Sequence, residues 1–149
     1  MPEAAVGKPK RETNVKDLGF ALILRGEFDL VDSVKPALHA MGISTWNCRS
    51  CEELASLLEQ TEPQLVFTDS DLPDGTWLRV MRVIQNAKCR VNVFVVGKEP
   101  NTRMEDLVRE CGGYRYLTTQ FERELFQAEV RCAVEEVYEH RGATAMDAA

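Results

Sequence analysis

The chain has no long apolar run. The longest stretch, Phe20-Ala21-Leu22-Ile23-Leu24, is five residues, far short of the about 18 that a membrane-spanning helix needs. Basic charge is not in excess either: 24 acidic residues stand against 18 basic, a formal net charge of −6. Nucleic acid is therefore not an expected partner, because a phosphate-backbone binder needs a basic face. Histidine is scarce, with only His39 and His140, and the cysteines number an odd 5. Cys48, Cys51, Cys89, Cys111 and Cys132 cannot all pair within the chain, so reduced thiols are expected rather than a disulfide scaffold. The first residues mix Lys8, Lys10, Arg11, Glu12, Lys16 and Asp17 without an apolar stretch. That is not the pattern of a secretory leader, and a cytoplasmic location with no membrane partner is the expectation.

What is present is the balance of a globular protein: 149 residues, 44% hydrophobic and 28% charged, enough for one module with a real core. Residues 1–17 and 141–149 lack periodicity and read as frayed tails around a domain at 18–140. Within it, short runs rich in β-formers at 20–24, 44–47, 65–68, 91–96 and 114–117 alternate with amphipathic stretches at 28–41, 51–60, 77–86, 102–111 and 121–138. Ser50-x-x-Glu53 and Thr102-x-x-Glu105 carry capping-box starts. Pro36 falls inside the first helical stretch, so that helix either kinks or starts late. Five βα repeats demand parallel strands joined by right-handed crossovers. The expected fold is a three-layer, flavodoxin-like doubly wound α/β sandwich of five parallel strands in the order 2-1-3-4-5.

In such sheets a site lies beyond the carboxyl ends of the strands where strand order reverses, between strands one and three. The loops there are Arg25-Gly26-Glu27-Phe28-Asp29 and Asp69-Ser70-Asp71-Leu72-Pro73-Asp74-Gly75. Asp69 closes an apolar strand, so a rigid element presents its carboxylate, and it is the leading candidate. An alternative role for it is to cap the following loop through backbone N–H groups.

The run Leu65-Val66-Phe67-Thr68-Asp69-Ser70-Asp71-Leu72-Pro73-Asp74-Gly75 resembles the phosphoacceptor strand and loop of response-regulator receiver domains. The resemblance covers about residues 19–138, with Gly42-Ile43 in register and Gly112-Gly113-Tyr114-Arg115-Tyr116-Leu117 resembling the family's entry into strand five. It implies a signalling module rather than an enzyme, in which Asp69 takes a phosphoryl group from a histidine kinase or phosphotransfer protein. It also implies a possible homodimer through the face of helix four, strand five and helix five.

Other parts of the family's site depart from the pattern. The paired acidic residues that hold Mg²⁺ correspond to Arg25 and Gly26, the strand-four Ser or Thr to Gly97, and the Lys-Pro after strand five to Thr119-Gln120. Phosphoryl transfer depends on cations and donors that neutralise the in-line transition state. Asp69 and Glu27 are what remains to hold Mg²⁺, so binding is expected to be weak or lost. Arg25, helped by Lys98, offers built-in counterions to Asp69, against the plainer reading of a solvated loop cation worth about 0–1 kcal/mol. With Gly97 unable to pull it, Tyr116 is expected to be fixed, either inward as core or outward on the partner face it would share with Gly97 and Thr119.

Two other constellations are weaker. Cys48-x-x-Cys51 finds no second half for zinc, and Arg25-Gly26-Glu27 is no flavin phosphate loop. Two functions follow: a stand-alone receiver of a two-component phosphorelay, accepting a phosphoryl group on Asp69 with an impaired metal site, or a pseudo-receiver that acts by protein interaction without phosphorylation.

Overall fold

Strands buried on both faces and helices with one apolar stripe can satisfy each other only in layers. A computed structural model describes residues 19–26, 30–72, 75–87 and 90–148. Its main sheet contains β1 (Gly19–Leu24), β2 (Ile43–Cys48), β3 (Leu65–Asp69), β6 (Asn92–Gly97) and β7 (Arg115–Thr118). All neighbours are parallel, in the order β2-β1-β3-β6-β7. That is the expected 2-1-3-4-5 order once a short antiparallel ribbon, β4 (Asp71–Leu72) with β5 (Gly75–Thr76), is set aside. No repeat pattern announces this ribbon, because two-residue strands are too short to show a period.

Alternate strand residues face opposite layers. Phe20, Leu22, Leu24, Val66, Val93 and Val95 pack beneath α2 (Cys51–Thr61) and α3 (Trp77–Asn86). Ala21, Ile23, Phe67, Phe94 and Val96 pack beneath α1 (Lys35–Ala40) and α5 (Arg123–Ala148), with Phe67 and Phe94 stacked at 4.7 Å. α4 (Thr102–Glu110) lies beside the edge strand β7 and buries a single residue, Val108.

Besides shifts of one or two residues at most element ends, three features differ from the sequence reading. The first helix does start late: Leu30–Val34 is a 3₁₀ turn and Pro36 sits in the first turn of α1, where its missing N–H costs nothing. α4 is capped by Asn101, whose Oδ1 accepts from the Met104 N–H at 3.1 Å, one residue before the expected Thr102. The 50–53 cap holds, with Ser50 Oγ accepting from the Glu53 N–H at 3.1 Å. The third is the end of the last helix: α5 does not stop at Tyr138 but runs to Ala148. Ala143, Ala145, Met146 and Ala148 in that stretch are strong helix formers and favour helix where there is no apolar pattern. The tail expected at 1–17 lies outside the described residues. Among the described residues no helix is long and apolar enough to cross a membrane.

The lower end of the sheet is tied by polar groups. The Arg141 guanidinium donates to the carbonyls of Glu62 (3.2 Å), Pro63 (2.6 Å) and Arg90 (2.8 Å), binding α5 to the segments that lead into β3 and β6. Asn92 Nδ2 donates to the Ala133 carbonyl at 2.9 Å. We expect Arg141→Ala to lower stability by about 1.5–3 kcal/mol, the scale of hydrogen bonds from a charged donor. Urea unfolding checks this, and an unchanged midpoint would contradict it.

Candidate functional site

β3 ends at the reversal point because its Leu65–Asp69 run is buried throughout and pairs with β1 on one side and β6 on the other. Asp69 is brought there as expected, but it is only 2% exposed. A carboxylate taken out of water must have its oxygens satisfied. One oxygen accepts the Gly26 N–H, and the other accepts the Val31 N–H at 2.7 Å. Asp69 therefore fastens the end of β3 to the segment that joins β1 to α1. In the following segment the Trp77 N–H donates to the Ser70 carbonyl at 3.1 Å, and Asp71–Leu72 pairs with Gly75–Thr76.

Gly26 stands where the resemblance implies a metal-holding acid, and nothing larger fits. A β-carbon there would overlap the Asp71 carbonyl oxygen and stand 2.8 Å from Asp69 Oδ2. The position is closed by backbone, which cannot give way as a side chain would.

Arg25, expected as a counterion to Asp69, pairs with the acid of the following 3₁₀ turn. Its side chain is 42% exposed and pairs with Asp32 at 3.1 Å, and Lys35 pairs with the same Asp32 at 3.2 Å. Lys98 lies exposed, one residue past β6. Glu27, the expected second metal ligand, lies outside the described residues, as do Pro73 and Asp74.

Mg²⁺ takes octahedral oxygen ligands, commonly one or two carboxylates plus water. Among the described carboxylates, Asp69 is engaged by two amides and Asp32 by two cations, while Gly26 brings no ligand. No group of three or more His, Cys, Asp or Glu that could hold a metal ion gathers among the described residues.

Tyr116 and Gly97 do come together. Tyr116 is turned inward, 8% exposed, and its hydroxyl donates to the Glu99 carbonyl at 2.9 Å. Burial raises its pKa above the ordinary 10.0, and the nearby Glu99 and Glu105 add to the rise. Of the two placements open to it from the sequence, it takes the inward one. Thr119 is half-buried just beyond β7. Cys48 and Cys51 are both buried, and Cys48 Sγ donates to the Ser50 carbonyl at 3.2 Å.

Sequence reasoning missed Val31, Asp71, Asp32 and Glu99. Three of these act through backbone N–H or C=O groups, which leave no side-chain signature. Asp32 was open to notice as an acid seven residues past Arg25.

Similarity searches place this geometry among known folds. No protein-family model matches the chain, and no curated protein matches it in sequence. Solved structures do. The signal receiver domain of a putative Luxo repressor protein from Vibrio parahaemolyticus aligns with TM-score 0.72 and 14% identity over 84% of this chain and 96% of its own. A Francisella response regulator receiver domain gives 0.66 and 14%, over 79% and 98%. A CheY-like receiver domain protein from Methanospirillum hungatei gives 0.66 and 15%, over 81% and 97%. The chain has the fold of receiver domains.

Two outcomes follow from the site. Gly26→Ala should destabilise the fold by about 1–3 kcal/mol, the range for forced overpacking, measured by thermal or urea unfolding. A wild-type midpoint would mean that Asp71 can move aside. The second outcome concerns pH. Tyr116 is neutral in the fold and binds its proton more tightly there than in the unfolded chain, which ionises near 10.0. Its contribution is complete below that pH and is lost as pH rises through the higher folded value. Stability should therefore fall above about pH 10, and less steeply in Tyr116→Phe, where Tyr114 still contributes because burial raises its pKa too. Identical alkaline slopes for both proteins would contradict the assignment.

Proposed function

We propose that the chain is a receiver-fold signalling module that works by docking to a protein partner, with Asp69 serving as a structural clamp rather than as a phosphoryl acceptor. One observation carries this reading: the Asp69 carboxylate is buried and accepts one backbone N–H on each oxygen, while Gly26 and the Asp71 carbonyl close the place of the metal ligands. An in-line phosphoryl transfer needs the carboxylate open to its donor and neutralised by cations. Arg25, one of the two cations flanking the loops, pairs with Asp32.

The fold supports a partner of the two-component type, a histidine kinase or phosphotransfer protein, in the cytoplasm. The face that would meet it is the one formed by α4, β7 and α5, the same face by which a homodimer would form. Leu107 of α4 and Leu125 of α5 stay exposed there, on helices that flank β7. This role is one of binding, not of catalysis.

The second reading, phosphoacceptance at Asp69 with an impaired metal site, is favoured by the position of Asp69 at the carboxyl end of β3. Intact-mass measurement after incubation with a small-molecule phosphodonor and Mg²⁺ separates the two, with Asp69→Asn alongside. We expect no phosphoryl adduct on either protein. We also expect Asp69→Asn to be less stable by about 1–3 kcal/mol, since an amide NH₂ would face a backbone N–H. An adduct on the parent chain that is absent from Asp69→Asn would overturn the docking reading and establish the phosphorelay one.

A further inference from the structure

α2 and α3 lie side by side on one face of the sheet and carry opposite charge. α2 holds Glu52, Glu53 and Glu59 with no Lys or Arg, and α3 holds Arg79 and Arg82 with no Asp or Glu. Residues three, four and seven apart share one side of a helix. On α2, Leu54, Leu57 and Leu58 are buried against the sheet, and Glu52, Ala55, Ser56 and Glu59 are exposed on the opposite side. On α3, Val80, Met81 and Ile84 are buried, and the exposed side carries Leu78, Arg79 and Arg82. Leu78 is 49% exposed, a large apolar side chain set beside the two guanidinium groups. Among the described residues, Glu52, Glu59 and Arg82 form no ion pair. The flanks invert in the same sense: an exposed Arg49 precedes α2 and an exposed Asp71 precedes α3.

An acidic stripe next to a basic one suits a second copy of the chain better than a partner of one charge. In a two-fold dimer the same patch is used by both subunits, and every contact occurs twice. A two-fold axis running across the helices would set α2 on α2 and α3 on α3, like charge on like. An axis running along the helices, between α2 and α3, sets α3 of each copy on α2 of the other, so that acid meets base on both sides of the axis. Leu78 is then brought to a stripe whose middle residues, Ala55 and Ser56, are small and leave it room.

We propose that α2 and α3 form a self-complementary face that pairs two copies of the chain, α3 of one on α2 of the other. The pairing leaves the face of α4, β7 and α5 open to a different protein. It involves neither Asp69 nor that second face, so it stands or falls separately from the functional reading above.

Sedimentation equilibrium of the full chain, from micromolar to millimolar protein, tests this. The parent chain should form a dimer and nothing larger, and added salt should weaken it because exposed charge pairs are screened. Reversing α3 with Arg79→Glu and Arg82→Glu, or reversing α2 with Glu52→Arg and Glu59→Arg, should each raise the dissociation constant at least about tenfold, since like charges across an interface repel. The two reversed proteins, each monomeric alone, should pair with one another when mixed, because acid again meets base at both contacts. Leu125→Glu, on the face of α4, β7 and α5, should leave association unchanged. A parent chain that stays monomeric throughout, a dimer that survives either reversal or is lost in Leu125→Glu, or reversed proteins that remain apart when mixed would each overturn the proposal. If the α3 reversal does not fold, Arg82→Glu alone takes its place in the mixing experiment, with the same two outcomes.

Discussion

The upper end of this molecule is organised by the need to satisfy one buried carboxylate. Asp69 is held at the end of the central strand β3, out of water, and meets that need with the backbone of Gly26 and Val31. Because the two amides come from the segment after β1, the bond pair fixes that segment against the sheet. Each bond to a charged acceptor is worth about 1.5–3 kcal/mol, a large share of a domain's net stability. The placement of Gly26 and the close approach of the Asp71 carbonyl both follow from it.

Two glycines give the site its shape, and they work in different ways. Gly26 is enclosed by main chain, so its lack of a side chain is a condition of closure. Gly97 is enclosed by the Tyr116 ring, so its lack of a β-carbon is a condition of occupancy by that ring. Neither contact alters the sheet that carries it, since fold and site are separable.

The sheet was legible because its strands are apolar runs bounded by breaks, as in Phe20-Ala21-Leu22-Ile23-Leu24, and their alternation with helices leaves few topologies. Asp69 was legible for the same reason: a single acid ending such a run stands out. The partners of Asp69 were not, because Val31 and Gly26 contribute only N–H groups that every non-proline residue has. The ribbon of Asp71–Leu72 with Gly75–Thr76 escaped because its strands are shorter than any period. The helical course of the last residues escaped because intrinsic propensity, unlike burial, writes no pattern into a sequence.

An open parallel sheet leaves two flanks with unpaired main-chain groups, which other chains can extend. β7 is only four residues long and carries Arg115, paired at 2.8 Å with Glu129, and β2 shows Ser44 and Asn47 to water with Thr45 bonded to His39. A short flank with a charge on it and a polar flank are both poor templates for a further strand. Stacking of copies edge to edge, the first step toward fibrous aggregation, is discouraged at both borders of the sheet.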